Sequence, residues 1–218
     1  EVIPDVAVAT DDERILSAVE GFGGRAVMTS ASHRSGTDRC REAAYNIRTD
    51  SDVIINVQGD EPFIASSQLR ALMECFASPD VDIASLARPF DASRGYDALA
   101  DPNLVKVVMG NDMRALYFSR SVIPYVRDAV RRHTLEGTQF YTHVGVYAYR
   151  REVLDDLASL PPAPLEDAES LEQLRWLSAG YTIRMGITTA PTIGIDTPAD
   201  LEAARKYFKT KSRFDNKC

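Results

Sequence analysis

The chain has 218 residues, with 32 acidic against 25 basic side chains and a net charge of −7. That length suits one large α/β domain with a proper core, and the acidic balance argues against broad attraction to nucleic acid or to an anionic membrane. Cys40, Cys75 and Cys218 are too scattered for a zinc or redox motif and fit a reducing compartment. With no apolar run of spanning length and no signal peptide ahead of the first strand, a cytoplasmic protein without membrane insertion is expected.

Residues 6–9 read as a strand, and Thr10-Asp11-Asp12-Glu13 as the capping-box start of a helix carrying Ile15, Val19 and Phe22. Residues 26–28 are a second short strand. A polar stretch over 29–39 then reads as a loop ahead of a helix at 40–47. Its hydroxyls, backbone N–H groups and guanidinium could meet a nucleotide, or simply bond among themselves at the surface. The β-branched run at 53–57 predicts a buried strand of a parallel sheet. It enters a turn at Gln58-Gly59-Asp60-Glu61-Pro62, where Gly59 permits a sharp bend and Pro62 keeps Glu61 out of the helical region. Asp60 is thereby placed at the carboxyl edge of a sheet, where open α/β folds bind ligands. A carboxylate there suits a hard cation such as Mg²⁺, and it suits an ordinary turn equally.

Ser66 is expected to cap a helix with an inward stripe of Leu69, Leu72, Met73 and Phe76. A strand follows at 83–87, loop at 90–103, and a hairpin of 104–109 with 114–118 around Gly110-Asn111-Asp112. This β excursion breaks the strand-helix alternation and could cover a ligand or form a subunit interface. Residues 128–139 are charged and expected to be mobile. The stretch 141–150 alternates as a strand, with His143, Gly145, Tyr147 and Tyr149 on one face. That histidine could line a ligand site or be a satisfied core residue. After a proline-rich connector, one helix is expected over 165–179, with Leu171, Leu174 and Leu177 inward and Glu172-Gln173 turned away. A strand follows at 182–187. Thr197, Pro198 and Asp200 then start a last helix with Asp196 immediately outside it, and 206–217 is a basic, solvated tail. No repeat, Gly-x-Ser-x-Gly elbow, His-Glu-x-x-His or Walker loop is present.

The motifs Val8-Ala9-Thr10-Asp11, His33-Arg34-Ser35-Gly36-Thr37-Asp38-Arg39, Asn56-Val57-Gln58-Gly59-Asp60-Glu61-Pro62, Leu116-Tyr117-Phe118-Ser119-Arg120, His143-Val144-Gly145-Val146-Tyr147, Leu171-Glu172-Gln173-Leu174-Arg175 and Gly194-Ile195-Asp196-Thr197-Pro198 occur together and in order. In that order the chain resembles the 3-deoxy-manno-octulosonate cytidylyltransferases, the CMP-Kdo synthetases of lipopolysaccharide biosynthesis. The resemblance implies a doubly wound, mostly parallel α/β sheet of the Rossmann-like nucleotidyltransferase type, with an inserted β excursion. It spans residues 1–208 as a single domain, leaving 209–218 as the basic tail. It implies transfer of CMP from CTP to Kdo with release of pyrophosphate, and Mg²⁺ on the catalytic, metal-binding pair Asp60 and Asp196; a homodimer is expected from the β excursion and the region 104–118. By the same resemblance Gln58, Arg120, His143, Tyr147, Glu172 and Gln173 meet Kdo, and Ser35, Gly36, Thr37 and Arg39 meet the nucleotide. Arg120 suits the sugar carboxylate, because a guanidinium grips carboxylates in a fork.

One departure is large. The family opens on a strand and a basic loop of the form Pro-Ala-Arg-x-x-Ser-x-Arg-Leu/Phe-Pro-x-Lys-Pro, and the match here begins after it. The expectation is that roughly thirty residues, a strand-loop-helix unit, precede the match, and that strands beside that unit lack a partner here. The competing readings are a CMP-sialic acid synthetase or another acidic-sugar nucleotidyltransferase, and a catalytically silent nucleotide- or sugar-binding module. A metal-dependent glycosyltransferase is less apt, since Gln58-Gly59-Asp60 is not Asp-x-Asp.

Overall fold

The computed structural model describes residues 3–127, 135, 137–191, 194–195 and 197–215, without the side chains of 209–215. The fold starts with β1 (Val8–Thr10), α1 (Glu13–Gly21) and β2 (Ala26–Met28). Asp12, not Thr10, is the N-cap of α1, accepting from the Arg14 N–H at 2.8 Å. Thr10 instead accepts from the Asp12 N–H. Next comes α2 (Gly36–Asn46), four residues earlier than its apolar pattern indicates. Ser35 caps it by accepting from the Asp38 N–H at 3.2 Å, so the polar loop ends as a helix N-terminus.

β3 (Val53–Asn56) and α3 (Ser66–Cys75) follow. Ser66 lies inside α3, where Gln68 Oε1 accepts from the Ala65 N–H at 2.8 Å in place of a serine cap. The inward stripe of α3 is Gln68, Leu72 and Cys75, whereas Met73 is exposed. After β4 (Ile83–Pro89) the segment expected as loop holds a 3₁₀ turn (Ala92–Arg94) and α4 (Gly95–Ala100), anchored by the fully buried Leu99. The predicted hairpin is present as β5 (Lys106–Met109) against β6 (Ala115–Ser119). β7 (Tyr141–Arg150) leads into α5 (Arg151–Leu157). The single helix expected over 165–179 is two, α6 (Pro164–Glu169) and α7 (Gln173–Ser178), parted where Ser170 takes φ 51°. β8 (Ile183–Ile187) precedes α8 (Pro198–Asp215), which continues as helix through residues 209–215 of the expected tail. Most of the segment 128–139 falls outside the described residues.

Two sheets result. β1 pairs with β2 in parallel, and a six-stranded sheet has the order β6-β5-β7-β4-β8 with β3 also on β7. β3, β4, β5 and β8 share one direction, while β6 and β7 run against them. The sheet is thus mostly parallel in sense, yet β3 pairs antiparallel with β7 and not inside a parallel run. Along β7 the register against β4 shifts between Ser85↔Tyr147 and Leu86↔Val144, leaving Gly145 and Val146 without an opposed residue. A bulge of this kind re-aims side chains beside it. Among the described residues β1 pairs with β2 and β3 with β7. α2 packs across β1 and β3.

The six-stranded sheet is covered on both faces. Tyr149, Leu154, Leu157, Leu174 and Trp176 form the core on one side, and Leu72, Cys75, Leu86, Val144 and Val146 on the other. The first cluster is strongly aromatic, with Trp176 edge-on to Tyr147 and Tyr149 at 5.0 and 5.7 Å between ring centres. Rings packed this way are stiff as well as apolar. They form the floor beneath the site.

Candidate active site

The turn after β3 behaves as its sequence indicates. The Glu61 N–H donates to the Gln58 carbonyl at 3.0 Å, and Asp60 stands exposed at the strand's carboxyl end. The Asp60 carbonyl accepts from the Ile195 N–H at 2.9 Å, so the chain leading to α8 is tied to this turn. Two residues on, the predicted box is formed. Asp200 Oδ2 accepts from the Thr197 N–H at 2.9 Å, and Thr197 Oγ1 accepts from the Asp200 N–H at 3.2 Å. Asp196 lies outside the described residues. Among those described, no three His, Cys, Asp or Glu side chains gather as metal ligands. Asp60 still fits Mg²⁺, which takes only one or two protein carboxylates and completes its shell with water and phosphate oxygens. The Asp60 carboxylate makes no hydrogen bond or ion pair with another described side chain, which leaves both oxygens available.

Behind this edge lies a continuous polar and aromatic wall. The ring of His143 packs edge-on to Phe118 at 5.0 Å and lies 5.4 Å from Tyr147, which stacks with Tyr149 at 6.1 Å. His143 is partly buried, and desolvation holds its pKa down at about 4, so the ring is neutral near pH 7. Its Nε2 lies 2.9 Å from Ser85 Oγ. Burial raises the Tyr147 phenol well above the usual range, with the Tyr149 ring and the Glu172 carboxylate adding to the effect. Two residues further along β7, a Cβ at exposed Gly145 would meet nothing within 4 Å.

Glu172 closes the wall from the break between α6 and α7. It accepts from Thr37 Oγ1 at 3.0 Å and from Arg175 Nη2 at 3.2 Å, while Arg175 also pairs with Glu166 at 3.0 Å. Desolvation raises the Glu172 pKa, and its hydrogen bond with Thr37 and the Arg175 charge oppose that rise. Gln173 is buried, and Glu172 faces inward; the expectation that this pair turns away from the core is corrected by the helix break. Gln58 lies against Gly36, where an added Cβ would stand 2.8 Å from Gln58 Nε2.

The other expected positions are built into the frame. Thr37 is buried, its hydroxyl 3.4 Å from Tyr149 Oη and bonded to Glu172, while Ser35 caps α2. Arg39 donates to Thr29 Oγ1 at 2.7 Å and to Asp11 Oδ2 at 3.1 Å, binding α2 to the ends of β1 and β2. Arg120 donates to the carbonyls of Glu169, Pro102 and Ser170 at 2.6, 3.0 and 3.3 Å. Three of its five N–H groups are so engaged, leaving two for a ligand. Sequence reasoning missed Ser85 and the placement of Thr37 on Glu172. A lone hydroxyl within the apolar run Ile83-Ala84-Ser85-Leu86-Ala87 is the signal that could have found the first.

An α/β sheet with an exposed carboxylate after a strand end is the arrangement in which open α/β folds bind ligands, and the class of this domain follows from its relatives. A putative glucose-1-phosphate thymidylyltransferase from Bacillus anthracis shares this fold at 16% identity over 94% of this chain and 76% of its own, with a TM-score of 0.59. The family model for cytidylyltransferases matches residues 1–184. A 3-deoxy-manno-octulosonate cytidylyltransferase of Bacteroides thetaiotaomicron is 53% identical over 97% of this chain and 84% of its own. One from Myxococcus xanthus is 46% identical over 97% and 82%. A CMP:2-keto-3-deoxy-manno-octonic acid synthetase solved with CTP is 43% identical over 96% of this chain and 82% of its own, with a TM-score of 0.85. The chain belongs to the cytidylyltransferase family, among its 3-deoxy-manno-octulosonate cytidylyltransferases.

Proposed function

We propose that the protein transfers CMP from CTP to the anomeric hydroxyl of Kdo, releasing pyrophosphate, with Mg²⁺ held at Asp60 and Asp196. The observation that carries this reading is the exposed Asp60 carboxylate on the turn that follows β3, a strand whose last residue, Asn56, is paired with Tyr147 of the wall. When bound, the cation supplies charge neutralisation to the triphosphate and lowers the pKa of a coordinated hydroxyl. The chain's own residues orient the partners. Asp60 sits at the sheet edge where the triphosphate and sugar would meet, and the two remaining N–H groups of Arg120 suit the sugar carboxylate. Glu172 and Gln58 suit sugar hydroxyls. Tyr147 and Trp176 keep the floor rigid, which favours a fixed attack geometry.

The reading extends to a cytoplasmic homodimer in lipopolysaccharide synthesis. No helix among the described residues is long and apolar enough to cross a membrane, and the exposed Leu116 on β6 offers an apolar contact for a second copy. Pyrophosphate release from CTP plus Kdo, with and without Mg²⁺, tests the chemistry. Asp60→Ala should lower turnover by about a hundredfold or more, as expected when a charge-stabilising group is removed. Full activity in chelator, or in Asp60→Ala, would overturn the reading. Light scattering that shows only monomer at micromolar concentration would remove the dimer.

A further inference from the structure

The bulge in β7 leaves a hydrogen-bonding problem that Ser85 solves. Gly145 and Val146 have no opposed residue on β4. Ser85 is fully buried in β4, with its Oγ 3.0 Å from the Val146 carbonyl, 3.4 Å from the Val144 carbonyl and 2.9 Å from His143 Nε2. A hydroxyl has one proton to give, and a carbonyl can only accept. Leaving a buried carbonyl without a donor is costly, so the proton belongs on the carbonyl side, with Val146 at the shorter distance. The oxygen facing His143 is then an acceptor. Nε2 must carry the ring's hydrogen.

We propose that Ser85 fixes His143 as its Nε2–H tautomer, so that Nδ1 presents a lone pair to a hydroxyl of the bound sugar and Ser85 acts as a positioning, specificity-determining residue. This rests on the sugar-acid reading of the site. Nδ1 has no hydrogen-bond partner among the described residues, and Gly145, two residues further along β7, is exposed with nothing within 4 Å of an added Cβ. Desolvation supports the same state by holding the imidazole neutral. A neutral acceptor attracts O–H donors and repels a carboxylate, so this position selects a sugar hydroxyl and leaves the acid group to be held elsewhere. The scheme assigns each hydrogen once: Nε2–H to Ser85 Oγ, and Ser85 O–H to the Val146 carbonyl.

The test combines ¹⁵N-imidazole NMR with kinetics on the chain as its gene encodes it. Only three histidines are present, so the ring signals can be assigned by substitution. The wild type should show a single Nε2–H tautomer at His143, and Ser85→Ala a mixture. In that variant the KM for Kdo should rise about tenfold while kcat and the KM for CTP stay within about twofold, as for loss of ground-state binding alone. His143→Asn, whose amide oxygen can stand near the Nδ1 position, should bind Kdo more tightly than His143→Gln. An Nδ1–H ring in the wild type overturns the proposal even if Ser85→Ala fails to fold, and so does the reverse order of the two amide variants. Loss of Kdo turnover in a wild type that shows the Nε2–H ring would instead count against the sugar reading and leave the Ser85 relay standing.

Discussion

Gly36 is where a substitution should separate stability from activity. It opens α2, and replacing it with alanine would place a Cβ 2.8 Å from Gln58 Nε2 and 3.0 Å from Oε1. Nothing in backbone geometry forbids the change, since Gly36 is absent from the positive-φ positions. Removing glycine's freedom in the unfolded chain is worth about 0.4–1 kcal/mol. Against this, the amide of Gln58 must leave its present rotamer at about 0.5–1.5 kcal/mol. The two nearly cancel, so urea unfolding should shift by less than about 1 kcal/mol. The effect falls on Gln58 as a sugar contact. Losing one hydrogen bond of about 0.5–1.5 kcal/mol raises the KM for Kdo by about two- to thirteenfold. Steady-state kinetics with Gln58→Ala and the double variant complete the experiment. The double variant should be no worse than Gln58→Ala, because both changes act through one side chain. An unaltered KM for Kdo in Gly36→Ala would refute the contact, and fully additive effects would refute the route through Gln58.

Leu72 is fully buried under the second face of the sheet, and Leu72→Ala should cost about 3 kcal/mol in urea unfolding while leaving turnover per folded molecule intact. The raised pKa of Glu172 means that the folded protein holds that proton more firmly than the unfolded chain. Its contribution is therefore complete below the ordinary value of 4.5 and is lost as pH rises through the raised folded pKa. Melting temperature followed from pH 4 upward should fall less steeply in Glu172→Gln than in the wild type; parallel curves would refute the assignment.

What could be read from sequence was mostly what is decided within a few residues. The turn at Gln58-Gly59-Asp60-Glu61, the Thr197 and Asp200 box and the β5–β6 hairpin each depend on local chemistry, and each stands as expected, whereas the strand before that turn is half-buried and antiparallel to its neighbour. The reversed direction of β7 is different. Alternation in residues 141–150 gives a strand and its faces, but direction is set by which distant edges pair with it. The break at Ser170 is also non-local, because what holds Glu172 inward is Thr37, 135 positions away. Ser35 and Asp38 did carry a cap signal, obscured by the surrounding polar residues that read as loop. Of the site, the carboxyl edge and the His143 face were legible. The commitment of Arg39 and Arg120 to the frame was not, since a guanidinium in a motif looks alike whether it grips ligand or backbone.

Arg175 joins the two short helices across the bend at Ser170, pairing with Glu166 of α6 at 3.0 Å and with Glu172 at 3.2 Å. Neither helix is long enough to hold its shape without outside contacts, so the two should open together as one hinge, with Glu172 kept in place for as long as that single cation grips both carboxylates.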